Sequence, residues 1–422
     1  MPNKKHCPRT QAIHGEFSSK AWEFSHHLIP PMTASTTFRL GSLDRGAQGF
    51  TSFGDMPTGD TPIWIYDRLE EPTTKMLESQ LALMENGECA VSFASGMGGI
   101  SSTFMALLSA GQKVVAHQTL YGCTYSLLTS WLPKFGIETS LIDINDSAAL
   151  KKDLQDPKTR VVYFESVSNP ILEIADLEKI VALVKEANKS RAKENQIYTV
   201  VDNTFPTPWA LRPLDWGVDV VIQSLTKNIS GFGTEMGGAV ITRKEFEISL
   251  RLARKDFGAI IHPYSAWHIL VYGISSQSLR FEQQQRTAMK IATFLEKHPK
   301  VERVIYPGLE SHPQHALAKK YLQSPEDEFA PGTMISFQLK GDMETCRKFV
   351  DDIAKNSYAI TLAVSLGLNK TLIEVPGFMT HSAIPQDKQG ASGIDPRAIR
   401  LSVGLENAKD LISDLSNGLE HI

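Results

Sequence analysis

Apolar positions along this chain fall into short runs separated by longer stretches in which they recur at helical spacing. Residues 90–93, 114–115, 141–142, 161–164, 198–201, 218–222 and 239–241 are brief runs rich in β-branched and aromatic side chains, as strands covered on both faces require. Between them the pattern changes period. Leu77, Leu81 and Met84 repeat at helical spacing after Pro72, and Gly87 is a stop signal. Residues 94–99 are a small-residue turn leading into the apolar stretch 100–108, and Ile180, Leu183, Val184 and Ala187 share one helical face. Strands alternating with helices predict an α/β fold with a mostly parallel sheet, helices on both sides, running to about residue 265.

Beyond about residue 270 the rhythm differs. A long helix is predicted over 277–297, a strand over 334–339, a helix over 343–354, and strands over 360–364 and 400–403. A last helix carries Leu411, Ile412, Leu415 and Leu419. This reads as a smaller C-terminal α+β domain. At the other end, residues 1–65 lack any long periodic segment. They are rich in proline, glycine, serine and threonine, yet hold Trp22, Phe24, Phe38, Phe50, Phe53 and Trp64. Those aromatics argue for an arm packed on a neighbouring subunit rather than a disordered tail. The expected division is an arm over 1–65, a cofactor-binding domain over 66–265 and an α+β domain over 266–422.

Composition narrows the class without naming it. The 43 lysines and arginines nearly balance 47 aspartates and glutamates, for a formal charge of -4, which gives no reason to expect nucleic acid or a membrane surface as partner. Cys7, Cys89, Cys123 and Cys346 have no metal-ligand spacing and fit a reducing compartment. The first residues lack the apolar core of a signal peptide, and no apolar run has bilayer length. A cytoplasmic protein with no metal is expected.

Candidate chemistry centres on Ser224-Leu-Thr-Lys227, between the runs 218–222 and 239–241 and followed by a glycine-rich stretch. A lysine at the end of a buried strand is poorly hydrated, so its amine loses its proton more easily and becomes a nucleophile. Ser224 and Thr226 supply hydroxyls for a phosphate beside it, and the glycines allow backbone to approach a flat ring. Together these suggest a pyridoxal 5'-phosphate (PLP) lysine. Other needs of that cofactor find candidates. Asp202 ends a strand and suits the pyridine nitrogen, Gly96 and Met97 open a helix and suit the phosphate, and Tyr121 suits ring stacking.

Eight motifs in order carry a resemblance over nearly the whole chain: Tyr66-x-Arg68, Ser95-Gly-Met97, Leu120-Tyr-Gly122, Glu165-x-x-x-Asn169-Pro170, Asp202-Asn-Thr204, Ser224-x-Thr-Lys227, Met379-Thr-His381 and Arg400-x-Ser-x-Gly-x-Glu406. This set resembles the PLP-dependent transsulfuration enzymes of cysteine and methionine metabolism. The resemblance implies the fold type I of PLP enzymes, with a seven-stranded-type sheet. It implies that Lys227 holds PLP and moves protons, Asp202 faces the ring nitrogen, Asn169 meets the ring hydroxyl, and Tyr121 stacks and serves as an acid. Gly96, Met97, Ser224 and Thr226 would hold the phosphate, joined by Tyr66 and Arg68 of a neighbouring subunit. That implies a homodimer as catalytic unit, assembled as a homotetramer. Arg400, with Ser365 nearby, would bind the substrate carboxylate.

Within the family, Cys123 after Tyr121-Gly122, Val364 before Ser365, and Lys255-Asp256 resemble the methionine γ-lyases. The implied reaction is γ-elimination on a sulfur amino acid, giving 2-oxobutanoate, ammonia and a thiol. The alternatives are γ-replacement, as in O-acetylhomoserine sulfhydrylases and cystathionine γ-synthases, and cystathionine γ-lysis. A PLP-binding protein without turnover and a type I aminotransferase are more distant readings. Several positions depart from the family pattern and put substrate choice in question. Glu71 stands where asparagine is usual, Val167 where proline is, Lys370 at an acidic position, and Glu374-Val-Pro-Gly-Phe378 in place of a His-Pro-Ala-Ser type run.

Overall fold

The computed structural model describes residues 6–15, 27–51, 63–382 and 393–422. Seven strands form the larger sheet: β1 (Cys89–Phe93), β2 (Lys113–His117), β3 (Glu138–Ile142), β4 (Thr159–Glu165), β5 (Tyr198–Asp202), β6 (Val220–Gln223) and β7 (Gly238–Thr242). Their order across the sheet is β1-β7-β6-β5-β4-β2-β3. Neighbours from β6 to β3 are parallel, and β7 alone runs against them. Every residue of β1, β6 and β7 is buried, as are all of β4 but Arg160 and the interior of β5. Burial on both faces explains why their sequences are continuous apolar runs rather than alternating ones.

This order fixes where a ligand can sit. The chain enters the parallel set at β2, moves outward to β3, then returns to the other side of β2 at β4. A crevice opens at the carboxyl ends of strands beside such a reversal. Tyr121 follows β2, Asn169 follows β4, Asp202 ends β5, Lys227 follows β6, and Gly96 follows β1. Distant stretches of chain are thus delivered to one edge by topology alone.

A second, five-stranded sheet is made of β8 (Val301–Ile305), β9 (Met334–Leu339), β10 (Ile360–Leu362), β11 (Thr371–Glu374) and β12 (Ile399–Ser402), in the order β10-β11-β12-β9-β8. The helices Ser275–Lys297, Met343–Asn356 and Ala408–Glu420 share its core, in which Leu295, Phe337, Phe349 and Leu415 are buried together. The predicted elements of this half are present with shifts of a few residues at their ends. Strands β8 and β11 lie outside the expected set. β8 exposes Glu302 and Arg303, and β11 buries a glutamate, so neither shows a clean apolar run.

Over residues 1–65 the described part holds two short helices, Pro8–His14 and Leu43–Thr51. Trp22, Phe24, Phe53 and most of the second half of 41–61 lie outside the described residues. Part of this segment packs on its own chain: Trp267 Nε1 donates to the Pro30 carbonyl at 2.8 Å, and Arg9 pairs with Glu282.

The helix Pro72–Glu85 begins with its proline at N1 and a glutamate cap. Glu71 accepts from the backbone N–H groups of Thr73 and Thr74, an N-cap role that asparagine or aspartate more commonly fills. The loop just before it is tied down by two arginines of the helix Lys244–Phe257. Arg251, fully buried, donates to Glu70 at 2.9 Å and pairs with Glu247 at 2.6 Å, while Arg254 donates to the Leu69 carbonyl at 2.9 Å and pairs with Glu78. Replacing Arg251 by leucine leaves Glu70 and Glu247 without this partner. The expected outcome is a loss of about 3–5 kcal/mol of unfolding free energy, read from denaturant melts.

Candidate active site

Lys227 stands in the turn after β6, near the start of the glycine-supported loop that leads to β7. Arg280, buried on the long helix Ser275–Lys297, donates to the carbonyls of Asn228 and Ile229 at 2.9 and 3.0 Å. Gly231 sits against that guanidinium with φ 75°, where a Cβ would come 1.7 Å from Arg280 Nη1. Only glycine fits there. The clamp holds Lys227 so that its Nζ lies 2.8 Å from Ser365 Oγ. Burial, helped by the charge of Arg400, lowers the Lys227 pKa from the ordinary lysine value. The amine is therefore more often neutral and nucleophilic than a surface lysine.

Asp202, at the end of β5, accepts from Thr204 N–H at 2.9 Å. Burial raises its pKa. A protonated ring nitrogen opposite it would favour the ionised form again, the charge pairing a PLP ring requires. Beside it, in register across β4 and β5, is Glu165. Its Oε1 accepts from Tyr121 N–H and its Oε2 from Asn169 N–H, both at 2.7 Å. One buried carboxylate thus ties the segments after β2 and β4 together. Burial and the Asp202 charge push its pKa up to about 8.

The phosphate candidates form one cradle. The helix Gly96–Leu107 begins against Ser224: a Cβ on Gly96 would lie 3.0 Å from Ser224 Cβ. Ser95 caps this helix by accepting from Gly98 N–H at 3.0 Å, and the N–H groups of Gly96 and Met97 remain directed outward from its positive end. Thr226 Oγ1 donates to Gly237 O at 3.2 Å and accepts from Gly237 N–H at 3.0 Å. A hydroxyl has a further lone pair but one proton, so Thr226 would have to turn to donate to a phosphate.

Arg400, on β12, is buried and already engaged. Its Nη1 donates to Asn169 Oδ1 at 2.9 Å, and its Nη2 to the Ser365 carbonyl at 3.0 Å and to Glu374 Oε1 at 2.9 Å. A guanidinium only donates, so the Asn169 oxygen must face it and the Asn169 amide nitrogen is left to donate elsewhere. Ser365, the residue bridging Lys227 and Arg400, adopts φ 86°, a left-handed conformation uncommon for a serine.

Tyr121 stands over this floor, packed edge-on against His381 with ring centroids 6.4 Å apart. Burial and a contact with the Cys123 thiol raise the Tyr121 pKa well above the usual phenol value. It keeps its proton at neutral pH and acts as a donor. Burial lowers the His381 pKa to about 4, so its ring is neutral, and Nε2 carries the proton that faces the Asn169 carbonyl at 3.1 Å. Cys123 and Val364 are both exposed.

Lys227, Ser365, Arg400 and Asn169 are connected by these contacts, Asp202 stands in register beside the Glu165 that holds Asn169, and Gly96, Met97, Ser224 and Thr226 border the same strand ends. Tyr66 and Arg68 are placed differently. Tyr66 is exposed beside Thr37, and Arg68 lies over the Tyr66 ring and donates to the Lys255 carbonyl at 2.8 Å. Glu165 and Glu374 join the site although the sequence reading gave neither a role. A charged residue closing an apolar run, Val161–Phe164 in one case and Leu372-Ile373 in the other, was the available signal.

The family described as Cys/Met metabolism PLP-dependent enzyme matches residues 9–420. The chain belongs to that family. It is therefore a PLP-dependent enzyme family member, and the lysine, the acid at the β5 end and the helix-terminus cradle fit the cofactor. An L-methionine gamma-lyase of Fusobacterium nucleatum subsp. polymorphum is 41% identical over 424 residues, covering all of both chains. A cystathionine gamma-lyase of Bacillus subtilis is 36% identical over 85% of this chain and 89% of its own. Among solved structures, a cystathionine gamma synthase from Xanthomonas oryzae, in complex with aminoacrylate and cysteine, matches with a TM-score of 0.87. It is 31% identical over 99% of this chain and 98% of that one. The family's members thus include lyases and a synthase on the same architecture.

Three buried carboxyls give the protein a pH signature. Burial pushes Glu71 and Glu85 up to about 7 and Glu165 up to about 8, against an unfolded value of 4.5. Each binds its proton more tightly folded than unfolded, so the folded state holds more protons between those values. Stability should then fall as pH climbs from about 5 to about 8. Glu165→Gln cannot ionise, and the slope of unfolding free energy against pH in the cofactor-free protein should become shallower, most at the upper end of the window.

Proposed function

We propose that the protein catalyses γ-elimination on a sulfur amino acid of the methionine type, giving 2-oxobutanoate, ammonia and a thiol. The observation that carries this reading is the mouth of the site. The Cys123 thiol sits against the Tyr121 hydroxyl, and the uncharged Val364 stands next to Ser365, so the entrance offers a small polarisable group and an apolar one to a thioether chain. The 41% identity over full length to an L-methionine gamma-lyase points the same way.

In this reading PLP, when bound, supplies an electron sink that stabilises negative charge at the substrate α carbon. The chain's own residues do the rest. Lys227 would hold the cofactor through Nζ, and its free amine would take the α proton. Its lowered pKa keeps a neutral amine available for that step. Asp202 would pair with the ring nitrogen, and Asn169, whose oxygen is taken by Arg400, would have its amide N–H to offer the ring hydroxyl oxygen. Gly96, Met97, Ser224 and Thr226 bind the phosphate. Arg400 holds the substrate carboxylate, with Ser365 orienting both Arg400 and Lys227. Tyr121 would cover the ring and donate its phenolic proton to the departing thiolate. A phenol with a raised pKa is protonated when the leaving group needs it.

Tyr66 and Arg68 belong in this reading to the neighbouring subunit's phosphate site, which makes a homodimer the catalytic unit and a homotetramer the assembly. The arm over 1–65 extends the same contact. The exposure of Tyr66 and the anchoring of Arg68 on the Lys255 carbonyl suit side chains presented outward from a rigid base.

The test is 2-oxobutanoate release from L-methionine by the PLP-loaded protein without added thiol. Release is expected, and Lys227→Ala should lower it by at least about 10³-fold while the protein stays folded. PLP loading without 2-oxobutanoate release, together with product formation from O-acetylhomoserine and sulfide, overturns elimination in favour of γ-replacement.

A further inference from the structure

We propose that Glu374 determines how tightly this site grips a substrate α-carboxylate, by holding the charge of Arg400 in an internal ion pair. The proposal rests on the assignment of Arg400 as the carboxylate-binding residue. Glu374 and Arg400 are register partners on the antiparallel strands β11 and β12, so their side chains stand side by side on one face. Both are buried, with side-chain exposures of 1% and 3%. Three guanidinium contacts are made inside the protein, to Asn169 Oδ1, the Ser365 carbonyl and Glu374 Oε1. Glu374 Oε1 also accepts from Thr380 Oγ1 at 2.7 Å, while Oε2 is buried with no partner among the described residues.

A bare buried guanidinium would bind any carboxylate strongly, because nothing else compensates its charge. Glu374 supplies that compensation within the protein. An incoming α-carboxylate meets a pair that is close to neutral and places a second negative charge beside the first. Its affinity is reduced relative to a lone arginine. The 2-oxo acid formed in the reaction carries the same carboxylate, so the same pair loosens the hold on product. The Glu374 carboxylate is within electrostatic reach of Lys227 and Tyr121 as well as paired with Arg400, which places Glu374 among the groups that surround a substrate rather than in the distant core.

The test uses binding, so it does not depend on which elimination or replacement the enzyme performs. L-norleucine has methionine's length without its sulfur and has no leaving group. L-norleucinamide is the same molecule with its carboxylate neutralised. Glu374→Gln keeps an oxygen for Arg400 and Thr380 and removes the charge. Calorimetric titration of the PLP-loaded protein should show L-norleucine binding on the order of tenfold tighter to Glu374→Gln than to the unaltered chain. The amide should change by less than about twofold. Glu374→Ser, smaller and also uncharged, should move in the same direction. Unchanged or weaker binding of the acid, or an equal gain for acid and amide, overturns the proposal. An Arg400→Ala protein that binds L-norleucine as well as the parent overturns the assignment of Arg400 itself, and this proposal with it.

Discussion

Ionisable groups brought together at the carboxyl edge of a buried sheet must find partners there or lose their charge. That constraint shapes the rest of this structure. The parallel strands are apolar and covered, so solvent cannot compensate what stands at their ends. Lys227 has lost part of its affinity for a proton, Asp202 and Glu165 have gained some, and Arg400 is held by a glutamate, an amide oxygen and a carbonyl. The same dryness that makes these groups costly makes them chemically useful, because each sits closer to the point where it exchanges a proton or accepts a ligand.

The two sheets meet over this edge. The larger one brings Gly96, Tyr121, Asn169, Asp202 and Lys227 to a common row through its strand order. The smaller contributes Ser365 and Arg400, which close over that row through the hydrogen bond between Ser365 and Lys227 and the one between Arg400 and Asn169. Neither sheet alone holds both the candidate cofactor residues and the candidate for the substrate carboxylate. A cystathionine gamma synthase and a cystathionine gamma-lyase both match this fold along nearly the whole chain, so the fold by itself does not decide between elimination and replacement.

Much of this was legible in the sequence where one physical cause dominated. The central strands were visible because burial on both faces leaves only apolar residues, and Lys227 because glycines and hydroxyls crowd around it. Long-range pairings were not visible. Glu374 reads locally as a lone charge in an apolar stretch; only the β11–β12 register reveals that it faces Arg400. Strand β8 exposes two charged residues and lacks the apolar run that marks the others. The helix-capping role of Glu71 was likewise hidden, because glutamate is not among the residues that usually cap a helix start, yet its carboxylate reaches the N–H groups of Thr73 and Thr74.

Glu165 holds its neighbours by their main chain. Both of its oxygens accept from peptide N–H groups, those of Tyr121 and Asn169, and neither contacts the functional side chain of those residues. Any amino acid except proline offers the same N–H. The scaffold at this point is therefore indifferent to what projects from it: the side chain at either position can be exchanged while the backbone that aims it stays tied to the same carboxylate. A fold anchored in this way can diversify its chemistry without having to re-solve its architecture.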